Sequence, residues 1–302
     1  MKRIFQLLFL AIVITCSWAD AQDTTLLYRI SGNGLTQNSW LYGTMHWQDE
    51  RLTSFGPAVL DAIAQSDVVA VEVILDDDLQ AQMGLLKYIF MDTTLSALLP
   101  EEDVEKVKAL VQEVNPMMGL VVEKLKPIFI STLIMENRME KSGDHTVDNF
   151  FEKYGKAMGK EVTGIETVEE QMQALDAISL EDQAAMLQQQ ISDMDESDSL
   201  SDEMMRIYLS QDMDKLYRFY KEQEDIPLNF DQSLLGDRNK IMAHRMDSLM
   251  QSRPTFLAVG ALHLPGKEGV LQQLRNAGYS VESVSSPFAA EPTQLPLLNE
   301  DE

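Results

Sequence analysis

Apolar and polar positions divide residues 22–286 into three zones. Near each end, short aromatic and β-branched runs are bounded by turn residues. Between them, apolar positions recur at helical spacing. In the first zone, alternation over residues 24–31, a Gly32-Asn33-Gly34 turn and a second run over 39–45 predict a β-hairpin. An amphipathic helix over 58–65 follows, with Pro57 in its first turn. A strand over 68–74 comes next, whose near-continuous apolar run marks burial on both faces. The last zone repeats this order: a strand ending at Val259, a helix over 270–277 and a strand over 279–284.

The middle zone, from about 76 to 250, predicts helices over 116–126, 128–139, 147–158, 168–178 and 204–224, and one running from 235 to 250. A further helix opens at Pro100, and a short strand or extended link covers 161–165. Methionines at helical spacing read as core filler, with a peptide-binding groove as the lesser alternative. The acidic, Ser-rich run 193–203 reads as a mobile loop. It lacks the glycine and ligand order of a calcium-binding loop. Residues after Pro287 read as a disordered tail. The expected fold is α/β: a central mixed sheet built from two terminal strand–helix–strand units with a long helical insertion, in one domain spanning 22–286.

One short pattern occurs in both terminal units. Gly43-Thr44-Met45-His46 and Gly260-Ala261-Leu262-His263 each follow a strand, so each places a histidine at a strand's carboxyl end. Open α/β sheets bind ligands at that edge. The glycines are expected to permit a sharp backbone turn there. Two neutral imidazoles meeting at one edge begin a divalent-metal site. The plainer reading is two strand-end histidines that are merely hydrogen-bonded. Glu72 stands alone in the apolar run 68–74, where a carboxylate is costly unless paired or metal-bound. A salt bridge is the structural reading; a metal ligand or a general base is the chemical one. His46, His263 and Glu72 together make a two-His, one-carboxylate set with room for a water.

Composition narrows the choices. Residues 1–21 carry Lys2 and Arg3, an apolar stretch and a small-x-small site at Ala19-Asp20-Ala21, the pattern of a secretory signal peptide. Thr15 before Cys16 disfavours lipidation, so a periplasmic or secreted protein is expected, without stable membrane insertion after cleavage. Removing 1–21 takes away the only cysteine and leaves 22 basic against 48 acidic side chains, a net charge of −26. Such a chain repels nucleic acid.

Four stretches together resemble the TraB/GumN family, which includes the Tiki proteases. They are Leu41 to His46; Val71-Glu72; Asp148 to Phe151 continuing through Gly159 to Val162, Glu166-Thr167 and Glu170-Gln171; and Arg238-Asn239 followed by Val259 to Gly266. The resemblance implies a fold similar to erythromycin-esterase-like and ChaN-like proteins, and a metal-dependent protease favouring manganese or cobalt, with zinc as a further candidate. It also implies that His46, Glu72, Arg238 and His263 share one site, with Asn239 and Glu166 behind it. Arg238 would then stabilise an oxyanion or hold a substrate carboxylate; a helix-packing pair is its plain alternative. The family often has Gly where Thr146 stands, which counts against Asp148. His145, in a loop, is a further second-shell candidate beside its plainer reading as a solvated side chain, and His244 reads as structural. The expected function is an exported metal-dependent peptidase acting on a peptide or protein. Two alternatives stay open: a non-catalytic peptide- or metal-binding protein, and a metal-independent esterase-like hydrolase. The absence of Gly-x-Ser-x-Gly argues against a covalent serine mechanism.

Overall fold

The computed structural model of the chain describes residues 24–74, 79–139, 141–222 and 231–296. The expected signal peptide and Cys16 lie outside these. Six strands form one mixed sheet: β1 (Leu27–Gly32), β2 (Ser39–Thr44), β3 (Val68–Val73), β4 (Glu161–Glu166), β5 (Thr255–Gly260) and β6 (Tyr279–Val284), in the order β4-β3-β5-β2-β1-β6. β2, β5, β3 and β4 run parallel, while β1 pairs antiparallel with both β2 and β6. The expected α/β class, with a sheet from two terminal units and inserted helices, is the observed one. The link over 161–165 is a strand and closes one edge.

Register explains why the site gathers where it does. Thr44 pairs with Gly260 and Val73 with Glu166, so β2, β5, β3 and β4 all end at one sheet edge. The connection from β2 returns to the sheet beyond β5, as β3. The connection from β5 returns beyond β2 and β1, as β6. Neighbouring parallel strands whose connections part in this way leave a crevice at their carboxyl ends.

Helices cover the sheet and build a second layer: α1 (Pro57–Ala64), α2 (Leu79–Ile89), α3 (Glu101–Val114), α4 (Pro127–Arg138), α5 (Val147–Ala157), α6 (Val168–Asp176), α7 (Leu180–Ser192), α8 (Met194–Leu209), α9 (Met213–Lys221), α10 (Asp237–Ser252) and α11 (Val270–Asn276). α5 lies on β3, with Gly155 so close that an added Cβ would stand 3.0 Å from Val69. Its Phe150 and Phe151 join Tyr42, Phe55 and Phe256 in an aromatic cluster with ring centroids 4.7 to 5.2 Å apart at the tightest pairs. Each such ring buried contributes about 1.5–3 kcal/mol. Met242, Met246 and Met250 of α10 enter this core as filler. A separate apolar cluster joins α3, α4 and α7 through Val107, Val111, Ile130, Ile134 and Leu187.

Four expectations need correction. The run 193–203 lies mostly in α8, whose Met205 and Tyr208 are buried and hold it against the core. The helix expected over 204–224 breaks at Gln211, whose φ is 58°, so α8 and α9 are separate. The helix expected over 116–126 is one turn, Pro116–Gly119, and a short 3-10 turn, Val122–Lys124. The tail is not free as far as residue 296. Ala289 N–H donates to Ser54 O at 2.7 Å and Thr293 N–H to Thr53 O at 2.9 Å, and Phe288 packs on the core.

Candidate active site

The two Gly-x-x-His units press against each other, and their glycines serve closeness rather than turning. Neither has a left-handed φ. A Cβ on Gly43 would meet Leu264 Cδ1 at 2.9 Å and Ala261 Cα at 3.2 Å, which belong to the other unit. A Cβ on Gly260 would stand 3.3 Å from Glu72 Oε2, 3.4 Å from His263 Cδ2 and 3.7 Å from His46 Nε2. Both rings thus lie within 4 Å of one point, so these ring atoms are at most about 8 Å apart.

Glu72 is the hub. It is 3% exposed at the end of β3. Arg238 Nη2 and Gln171 Nε2 each donate to Oε1 at 2.7 Å, and Gly260 N–H donates to Oε2 at 2.7 Å. Burial pushes its carboxyl upward, but the imidazoles, the guanidinium and the amide facing it hold the pKa down at about 2. The carboxylate is therefore ionised at neutral pH and weak as a base. His46 Nε2 faces its Oε2 at 3.8 Å and His263 Nε2 its Oε1 at 3.9 Å.

Each imidazole is held from behind through Nδ1. For His263 the partner is Asn239 Oδ1 at 2.6 Å, and Asn239 is itself anchored by Nδ2 donating to Glu268 O at 3.0 Å. For His46 the partner is Asp148 Oδ2 at 2.9 Å. That contact is an ion-pair approach rather than an aligned hydrogen bond, since Oδ2 accepts no directed hydrogen bond; Oδ1 accepts from Thr44 Oγ1 at 3.1 Å. The two rings differ sharply in charge preference. The Asp148 carboxylate raises His46 to about 9 against the opposing effect of burial. Solvent reaches 56% of that side chain and screens part of the attraction. Burial lowers His263 to about 4.

Arg238 opens α10 just after a π-helical turn, Gln232–Gly236. Its Nε and Nη2 donate to Glu166, Nη2 also to Glu72, and Nη1 to Leu234 O at 3.0 Å. The guanidinium is a clamp across two buried carboxylates, with little donor capacity left for an oxyanion or a substrate carboxylate. Glu166, raised by burial, rests on that clamp.

The structure thus brings His46, Glu72, His263, Arg238, Asn239 and Glu166 to one edge. His145 stands apart from these contacts, with Nδ1 3.4 Å from Lys153 Nζ on α5. Sequence reasoning discounted Asp148 because of Thr146, yet Thr146 caps α5 by accepting from Asn149 N–H and so aims Asp148 at His46. Gln171 was only one residue within a family stretch; its place four residues after the α6 cap, Thr167, and next to the capping-box Glu170 was the available signal.

Among the described residues, no group of three or more His, Cys, Asp or Glu side chains is arranged to hold a metal ion as it stands. The gaps of 3.8 and 3.9 Å are somewhat wider than the roughly 3–3.5 Å separating atoms that share an ion with bonds near 2 Å. The donor chemistry nonetheless fits a divalent ion. Two Nε2 atoms face one anionic carboxylate, and each Nδ1 is engaged by an outer oxygen, the usual second shell of metal-binding histidines. Also among the described residues, no helix is long and apolar enough to cross a membrane.

Two relatives are similar over most of the chain. Metalloprotease TIKI2 of Danio rerio is 23% identical over 86% of it, and Metalloprotease TIKI1 of the same fish is 23% identical over 81%. The match spans 60% of each relative's own length. No solved structure matches significantly. The model of the TraB/PrgY/gumN family matches residues 26–283, strands, inserted helices and both histidine units included, and the chain belongs to that family.

Proposed function

We propose that this protein is a divalent-metal-dependent hydrolase of peptides, with His46 Nε2, His263 Nε2 and Glu72 holding the ion. The observation that carries the reading is the convergence of both Nε2 atoms on one ionised carboxylate, each ring backed by an oxygen at Nδ1. A bound divalent ion supplies a water of lowered pKa near neutrality. Manganese or cobalt is favoured, with zinc as the third choice. The chain's own residues do the rest. Arg238, Gln171 and Gly260 N–H keep Glu72 fixed and anionic, which favours the ligand role over the general-base role. Asn239 sets the His263 tautomer with the proton on Nδ1, which leaves Nε2 free to donate its lone pair. Asp148 stands behind His46 Nδ1 by charge rather than by a directed hydrogen bond and leaves that half of the site the more basic, so an ion binding there displaces a proton from His46. The peptide substrate class rests on the name metalloprotease carried by both relatives, and export to the periplasm or beyond rests on residues 1–21.

One observation favours a second reading. The two unlike rings are also the arrangement of a metal-free acid–base pair, with neutral His263 Nε2 taking a proton from water and protonated His46 Nε2 giving one to the leaving group. Stripping the protein, reloading it separately with manganese, cobalt or zinc, and assaying a mixed peptide library separates the two. The metal reading expects one ion per chain and cleavage, both lost in His46→Ala and His263→Ala. Full activity in the stripped protein would establish the metal-free reading. Stoichiometric metal without turnover would make the protein a binder.

A further inference from the structure

We infer that the cleft beside His46 is a side-chain specificity pocket that selects a large apolar residue of a bound peptide. The inference rests on the hydrolase reading for its substrate class and goes beyond it in naming the residue that is chosen. A cavity of about 650 Å³ has His46 in its wall and runs between α4, the α4–α5 loop, α7 and the start of α8. Its apolar lining includes Trp47, Met135, Met139, Met194, Leu200 and Met205. Four methionines in one wall make a polarizable, unbranched surface that adapts to varied apolar shapes. Such a cleft is well above the size of a single side chain and within the usual range for ligand sites.

Two further facts point to an occupant of this chemistry. Among the described residues the charged lining balances, three basic against three acidic, in a chain of net charge −25. Met135 is 40% exposed and Leu200 37% exposed, unlike the buried methionines of α10 that fill the core. Continuity with His46 makes the cleft part of the reacting site: an extended peptide whose side chain enters it passes its backbone over the imidazole.

The test uses a peptide series varied at one position (Leu, Phe, Met, Ser, Gly, Lys), measured by fluorescence anisotropy on metal-stripped protein and by cleavage on manganese-loaded protein. Wild type is compared with Met135→Lys and Leu200→Lys, exposed positions whose change leaves the core intact. Leu, Phe and Met peptides are expected to bind on the order of tenfold tighter than Ser or Gly peptides, and both variants to lose the preference. Equal binding across the series, or a preference that survives in both variants, overturns the inference. Selective binding without cleavage leaves the pocket standing and removes the hydrolase. Cleavage without side-chain preference does the reverse.

Discussion

The two histidine units share a motif, a strand position and a sheet edge, yet they make unlike imidazoles. His263 is buried, backed by a neutral amide and lowered to about 4. His46 is open to solvent, backed by a carboxylate and raised to about 9. The motif therefore fixes where each ring stands, and the residue behind Nδ1 fixes its charge preference. Neither backing residue belongs to a Gly-x-x-His unit: Asp148 comes from α5 and Asn239 from α10. Duplicated geometry with divergent second partners lets one ring remain neutral while the other carries a proton in the metal-free state.

The harshest way to break this pairing is to remove the anion both rings face. Glu72→Ala leaves Arg238 buried with Glu166 alone and takes the acceptor from Gln171 and Gly260 N–H. Denaturant unfolding should show a loss of about 3–5 kcal/mol. A loss below about 1 kcal/mol would mean that the hub is not structural.

Exchanging the backing partner sharpens the comparison. In metal-free Asp148→Asn, the His46 pKa followed by NMR should fall from about 9 toward about 6.5, making the two rings alike in having a neutral partner. The sign follows from the raised folded-state value. In wild type this group favours folding fully below the unfolded pKa near 6.5, and that share disappears as pH rises through about 9. A variant whose His46 still titrates near 9 would show that Asp148 is not the cause.

A smaller effect tests the contact between the units. Gly43→Ala must push Leu264 and Ala261 aside, at a cost of about 1–3 kcal/mol; an unchanged melting temperature would contradict the close approach. The mildest change lies outside both units. Glu170 caps α6 and pairs with Arg245 at 2.7 Å, which lowers it to about 2. Its contribution is present above the unfolded pKa near 4.5 and is lost as pH falls toward 2. Because the pair is partly exposed, Glu170→Gln should cost under about 1 kcal/mol at pH 7 and almost nothing at pH 2.

Much of this was legible in the chain. Strand ends followed by Gly-x-x-His, and one acid in an apolar run, name His46, His263 and Glu72, because period and register act locally. Arg238, Asn239 and Glu166 were legible only through the family likeness. Asp148 was not, because what makes it useful is the angle at which α5 leaves its Thr146 cap, a property of packing on β3. The saturation of Arg238 was equally hidden: a sequence shows a cation but not how many carboxylates claim it. α8 was misread because acidic and serine content suggested a loop, whereas the burial of Met205 and Tyr208 further along carries the helix.

The insertion of β5 between β2 and β3 has a kinetic consequence. The strand bearing Glu72 meets the strand leading to His46 only through a segment nearly two hundred residues later. No local hairpin rehearses the site, and the loop entropy of that distant partner must be met before the sheet rewards it. Folding of this centre is accordingly expected to be slow and late. A fragment lacking residues 255–263 would leave β2 and β3 without the strand that joins them.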